Sequence, residues 1–147
     1  MMALPMTGTF RHNIDGKGRV FLPAKHRDAI GASALIIYPS LHDTSLKYRT
    51  VEDWASVEAQ IEALPTIDRE NASRYFYEMS DTLVTDSQGR IIINQDLAEF
   101  AGIKQEEGVV IVGCGKYGEI WSTAAYEQMK ARRNVDELRM RLASFGM

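Results

Sequence analysis

One motif occurs twice in this chain, and that duplication constrains its fold more than any other feature. Ile14-Asp15-Gly16-Lys17-Gly18-Arg19-Val20-Phe21-Leu22-Pro23 returns as Thr85-Asp86-Ser87-Gln88-Gly89-Arg90-Ile91-Ile92-Ile93-Asn94, and the offset from Asp15 to Asp86, 71 residues, also carries Gly31 onto Gly102. With one further residue allowed, Trp54 falls on Tyr126. Each copy predicts a strand, a tight turn, a strand, a short helix, a pair of strands and then a longer helix.

The local signals agree between copies. Residues 10–14 alternate roughly, Asp-x-x-Gly makes a turn, and an apolar strand follows the Arg. Gly18 and Gly89 stand where the turn needs a positive φ. Residues 23–31 read as a short helix with Pro at its start and Gly at its end. Its counterpart over 94–102 begins with Asn as an N-cap. Strands at 34–38 and 45–48 match 109–113 and 118–121. Val51, Trp54, Val57, Ile61 and Leu64 keep helical spacing behind a Thr50/Asp53 capping pair. A second helical piece covers about 68–79, and Tyr126, Met129, Val135, Leu138 and Leu142 form a weaker stripe. The expected organisation is a first repeat over 8–54, connecting helices over 55–79, a second repeat over 80–126 and a C-terminal helix over 127–147.

A single copy holds too few strands to bury a core alone, whereas two in tandem can share one barrel-like core in a mixed α+β protein. The apolar faces of the appended helices add a tendency to self-associate. No apolar run approaches the roughly 20 residues of a spanning helix, and the start of the chain has no secretory pattern. A cytoplasmic location is therefore expected. Cys114 is the one cysteine, which excludes an internal disulfide and a cysteine-built zinc site. His12, His26 and His42 lack metal-ligand spacing, and no nucleophile–base pattern or phosphate loop is present, so neither a cofactor nor an enzymatic activity is expected.

The charge map singles out one segment. The chain has net charge −3, so a polyanion must be met by a local basic face. Between residues 11 and 27 stand Arg11, Lys17, Arg19, Lys25 and Arg27 against Asp15 alone, with His12 and His26 able to add charge when protonated. The matching stretch over 82–98 holds Arg90 against Asp86 and Asp96. The first copy is thus the electrostatic candidate, since neutralised phosphates release condensed counterions. A turn that projects Lys17 and Arg19 fits a major groove, where Arg reads guanine O6 and N7. Asp15 and Asp86 read as turn residues that accept local N–H bonds or pair the neighbouring Arg. Arg19 could equally pair with an Asp of the other copy. A basic C-terminal stretch (Lys130, Arg132, Arg133, Arg139, Arg141) reads as a solvated helix face, or as a contact to an acidic surface on a neighbouring subunit.

The paired Asp15-x-x-x-Arg19 and Asp86-x-x-x-Arg90 motifs, with Val112-Gly113, Glu119-Ile120-Trp121-Ser122 and the start at 8–11, resemble the duplicated signature of the MraZ family. The likeness covers nearly the whole chain, most loosely over 65–79. Asn94 replaces the usual second-copy Pro, and Gln88 stands opposite Lys17. The resemblance implies two AbrB-like repeats forming one swapped-hairpin β-barrel core with flanking helices. It also implies a nucleoid-associated DNA-binding regulator, mainly a repressor, of the division and cell wall gene cluster. Such a regulator would bind double-stranded DNA at direct repeats in its own promoter as a ring-shaped homo-oligomer. The resemblance places His12, Arg19 and Arg27 where AbrB-like relatives put DNA-facing basic residues; together with the charge map this makes Arg19 and Lys17 the first DNA-binding candidates, then Arg11, His12, Lys25 and Arg27, with Asp15, Gly18, Asp86, Gly89 and Arg90 building the turns. Two alternatives remain open: a ring-forming scaffold whose basic face takes a protein partner, and an antitoxin with the same hairpin, although antitoxins usually carry one copy and a disordered tail.

Overall fold

The computed structural model describes residues 4–147, and its elements run in two matching series. The first is β1 (Thr9–Asn13), β2 (Arg19–Phe21), α1 (Ala24–Ile30), β3 (Leu35–Pro39), β4 (Leu46–Thr50), α2 (Val51–Glu62) and α3 (Thr66–Tyr77). The second is β5 (Asp81–Leu83), β6 (Arg90–Ile92), α4 (Gln95–Ala101), β7 (Gly108–Gly113), β8 (Gly118–Ser122), α5 (Thr123–Arg132) and α6 (Val135–Ser144).

Side-chain caps account for the starts of α2, α4 and α5. Thr50 Oγ1 accepts from the Asp53 amide at 3.1 Å, Asn94 Oδ1 from Leu97 at 2.9 Å, and Ser122 Oγ from Ala125 at 3.1 Å. The second connecting helix begins at Thr66, two residues before the apolar spacing places it, because Pro65 at φ −56° leads the chain into its first turn. The basic stretch near the C-terminus is split between α5 and α6. The break falls at Arg133, in extended backbone, and Asn134 then caps α6 by accepting from the Glu137 amide at 3.1 Å.

The strands interleave the copies. A six-stranded antiparallel sheet runs β1-β7-β8-β4-β3-β5, and β2 pairs with β6 in a separate ribbon. The first strand of each copy therefore lies against the third strand of the other: β1 on β7, β5 on β3. The mixed α/β architecture is as the sequence suggests, and among the described residues no closed barrel is found. β2 and β6 are three residues long and pair only with each other, so they cover the face of the sheet and do not join its two edges.

An approximate two-fold relates the copies. Val20 faces Ile91 at the centre of the ribbon, and Lys47 faces Glu119 at the centre of the β4–β8 ladder. Each pair occupies one position of the repeat. In a symmetric homodimer that position would meet itself, Lys against Lys or Glu against Glu. Here duplication has placed opposite charges on the axis, with Lys47 Nζ 4.0 Å from Glu119 Oε2.

One core runs between sheet and ribbon and draws on both copies. Val20, Leu35, Ile37, Leu46 and Tyr48 meet Ile91, Leu97, Val109, Ile111 and Ile120, all 2% exposed or less. Full burial of each aliphatic side chain contributes about 1.5–3 kcal/mol. The opposite face of the sheet has two smaller clusters. Ile36 and Tyr38 lie under Trp54, Ile61 and Phe76 of α2 and α3, and Val110 and Trp121 lie under Tyr126 of α5. α6 buries no residue. No helix of the described residues is long and apolar enough to cross a membrane.

Gly118 faces Tyr48 across the ladder, and a Cβ built there would stand 2.2 Å from Tyr48 Cζ. Tyr48 is fully buried, and its hydroxyl is held by His26 Nδ1. Gly118→Ala should therefore lower the unfolding free energy by about 1–3 kcal/mol, read from a reduced denaturant midpoint. An unchanged midpoint would contradict this packing.

Candidate nucleic-acid interface

Both Asp-turn-Arg motifs fold into the same hydrogen-bonded clamp. Asp15 Oδ1 accepts from the amides of Lys17 and Arg19, each at 2.9 Å, and Oδ2 accepts from Arg19 Nε at 2.7 Å. Asp86 Oδ1 likewise accepts from Gln88 and Arg90 at 2.9 Å, and Oδ2 from Arg90 Nε at 2.8 Å. Gly18 at φ +80° and Gly89 at φ +83° close the turns in the left-handed region. The Arg19 amide, joined by its guanidinium and the Lys17 amide, holds the Asp15 carboxyl below the usual carboxylate range, and the Asp86 turn repeats the pattern. Each Arg thus pairs with the Asp of its own copy, not of the other.

The clamp orients the guanidinium without consuming it. Asp15 takes only Nε, so the two terminal nitrogens of Arg19 keep their donors without a protein partner among the described residues. Alternation along the ribbon turns Val20 and Ile91 into the core and leaves Arg19, Phe21, Arg90 and Ile92 on the outer face. Phe21 is 45% exposed and Ile92 55%, an unusual state for large apolar side chains beside two arginines. Arg90 lies over the Phe21 ring at 5.8 Å and its side chain is 18% exposed, against 29% for Arg19. The second-copy guanidinium is the more enclosed.

The other basic residues divide in space. Lys17 is exposed at the first turn, and Lys25 is exposed on α1. Arg27 reaches across to the second turn: its Nε donates to the Leu22 carbonyl at 3.2 Å, and a Cβ on Gly89 would lie 2.8 Å from its Cδ and Nη1. A cation from the first copy therefore serves the turn in which Gln88 replaces Lys. The residue matching Arg27 in the second copy is Ala98, which with Lys17 and Gly18 lines an open groove at the first turn.

Arg11 lies apart from this cluster. It sits on β1 opposite Val110, pairs with Glu127 of α5 at 2.6 Å and lies over the Tyr126 ring at 5.7 Å. His12 is half-buried on the opposite face of β1, beside a shallow recess that also touches Gly108 and Thr123. His26, which the sequence offers as an added charge when protonated, lies in the core and not on the basic face. It is fully buried, its Nε2 donates to the Thr7 carbonyl at 2.9 Å, and its Nδ1 takes the Tyr48 hydroxyl. Because a carbonyl only accepts, Nε2 carries a proton, and in the neutral ring Nδ1 then accepts from the Tyr48 hydroxyl. Burial pushes the Cys114 thiol up to about 11, well away from a reactive thiolate.

Sequence reasoning missed the exposure of Phe21 and Ile92 beside the arginines, although the alternation in Arg-Val-Phe and Arg-Ile-Ile carries that signal. Nothing local signals the path of Arg27 to the second turn.

A duplicated chain whose copies interleave through a basic β-ribbon defines a class of two-repeat ribbon proteins. The family described as "MraZ protein, putative antitoxin-like" matches residues 6–74 and again 78–142. The chain belongs to the MraZ family. It is 31% identical over 144 residues to the transcriptional regulator MraZ of Acetivibrio thermocellus, covering 95% of this chain and 98% of that protein. It is 33% identical to the regulators of that name from Heliobacterium modesticaldum (95% and 98% covered) and Lactiplantibacillus plantarum (94% and 98%). The family is one of transcriptional regulators and not of enzymes, as the sequence indicated.

The buried His26 gives stability a pH dependence. Desolvation lowers its pKa in the fold below the ordinary 6.5, with the Thr7 contact offsetting part of the shift. The unfolded chain then takes up a proton that the folded chain refuses, so stability is full above about pH 6.5 and falls as the pH drops further. His26→Gln should show a shallower loss of melting temperature than wild type between about pH 6.5 and 5. Parallel curves would remove His26 from the account.

Proposed function

We propose that this chain is a sequence-specific DNA-binding transcriptional regulator, mainly a repressor, acting as an oligomer on direct repeats in its own promoter within the division and cell wall gene cluster. The observation that carries the reading is the outer ribbon face. Arg19 is held by Asp15 with its terminal donors free, beside exposed apolar side chains and with Lys17 at the turn tip. A two-stranded ribbon fits the major groove. In it a preset guanidinium meets guanine O6 and N7, and Phe21 and Ile92 meet thymine methyl groups. Lys17, Lys25 and Arg27 serve the phosphates on either side. The cross-copy pairing of β1 with β7 and of β5 with β3 supports the swapped-hairpin exchange that the family likeness implies.

The clamp matters for affinity because a flexible Arg loses rotamer freedom on binding, and Asp15 has already restricted it. Each ribbon makes a small footprint, so useful affinity comes from several subunits meeting several repeats, where linkage raises the effective concentration. Arg11 and His12 lie outside this footprint and contribute through the wider field of the first copy. Arg90, enclosed against Phe21, acts chiefly as a brace for the ribbon.

Titrating duplexes with one, two and four repeats at two salt concentrations tests the reading. Affinity should rise steeply with repeat number and fall with salt. Lys17→Ala should reduce the salt slope by about 1, and Arg19→Ala should cost about 1–3 kcal/mol and relax base preference. Both variants should keep the wild-type oligomer. Affinity indifferent to salt and repeat number would overturn the proposal, and loss of the oligomer in these variants would favour the scaffold reading.

A further inference from the structure

The two turns stand at opposite ends of the β2–β6 ribbon, and the charge around them runs against the order in the sequence. The chain entering each short helix is pinned to the other copy's turn. The Leu22 amide donates to the Gly89 carbonyl at 3.0 Å, and the Ile93 amide to the Gly18 carbonyl at 2.8 Å. α1 therefore stands beside the second turn and α4 beside the first. Gln88 of the second turn gains Arg27, whose side chain covers the buried Gly89. Lys17 of the first turn shares its groove with Glu99 and Lys104.

The link from α4 to β7 deepens the contrast. Glu106 is the one non-glycine residue at positive φ among the described residues, at +66°. Such backbone is strained for a residue with a side chain. Its amide donates to the Ile14 carbonyl at 2.9 Å, and its Oε1 lies 3.5 Å from where a Cβ on Gly16 would stand. A carboxylate is thus held beside the tip of the first turn. The first copy passes from Gly31 to β3 through Ala32, Ser33 and Ala34, with no charge. Outside the Asp–Arg clamps, the first-turn end holds Lys17 and Lys104 against Asp96, Glu99, Glu106 and Glu107, and the second-turn end holds Lys25 and Arg27 against Asp28. One end is net negative and the other net positive.

The outer ribbon face gives little direction, since Arg19 and Phe21 on one strand answer Arg90 and Ile92 on the other. With its approximate two-fold, such a face fits a groove in either of two opposed directions. Phosphate contacts position a protein on the duplex, and like charges brought together suppress the wrong arrangement. We propose that Glu99 and Glu106 at one turn, opposed by Arg27 at the other, set the direction in which the ribbon lies on DNA. The Arg27 end grips the flanking phosphates. Lys17 keeps the phosphate nearest its tip, while the carboxylates beside it hold α4 off the rest of that flank. One chain then reads a repeat in one direction only. This rests on the DNA-binding function proposed above and adds its direction-setting residues.

One-repeat duplexes with uncharged methylphosphonate linkages on one flank or the other, titrated by fluorescence anisotropy, test the direction. Neutralising one flank should weaken wild-type binding by about tenfold, and neutralising the opposite flank should change it little. Arg27→Gln should abolish the loss on the sensitive flank. Glu99→Gln with Glu106→Gln should bind the unmodified duplex more tightly and make the second flank sensitive as well. Ala98→Arg, which gives α4 the cation of the matching α1 position, should move the same way and decides the matter if the double variant fails to fold by circular dichroism. Equal sensitivity of both flanks in wild type, a loss that survives Arg27→Gln, or an asymmetry unchanged in the α4-side variants would overturn the proposal and leave DNA binding standing. Absence of salt-dependent binding to any duplex would instead overturn the DNA reading, and the direction with it.

Discussion

Strand exchange between the two copies is the constraint from which the rest of this molecule follows. β1 finds its ladder partner in β7, β5 finds its own in β3, and β2 closes on β6, so neither copy completes a sheet from its own strands. The shared core draws on both halves, with Val20 and Ile91 paired across the ribbon inside one buried cluster. The same exchange puts Lys47 against Glu119 on the local two-fold, a pairing open to a duplicated chain and closed to a homodimer of one repeat. Covalent linkage has thus let the two halves diverge where symmetry would have set like against like.

Divergence continues in the turns. Each is built by an Asp that takes two amides and one guanidinium nitrogen, and this scaffold is indifferent to the residue at the tip. Lys17 in one copy and Gln88 in the other are therefore equally compatible with the fold, which leaves the tip free to be tuned for a polyanion. Arg27 narrows the difference, since it belongs to the first copy in sequence and lies on the second copy's turn in space. A charge tally along the chain overstates the contrast between the two turns for that reason.

The helices follow a comparable logic at the outer face of the sheet. α2 with α3, and α5, each cover one pair of strands, using Trp54 and Tyr126 at matching positions of the repeat. α6 departs from this pattern and leaves an amphipathic face to solvent.

The amino-acid order alone was enough to reveal the duplication, the turn chemistry of Asp15 and Asp86, the caps at Thr50 and Asn94, and the basic segment over 11–27. All of these are local, because a turn or a cap is written within four residues of itself. Which copy a strand pairs with is another matter. Hydrogen-bond ladders carry no sequence label, and β2 is three residues long, so its partner and the absence of a closed barrel emerged only in the folded chain. Folding likewise removed His26 from the basic face into the core and set Arg11 against Glu127 on α5, well away from the turns. Burial and long-range charge depend on what the whole chain brings together, and one side chain's neighbours along the sequence do not specify it.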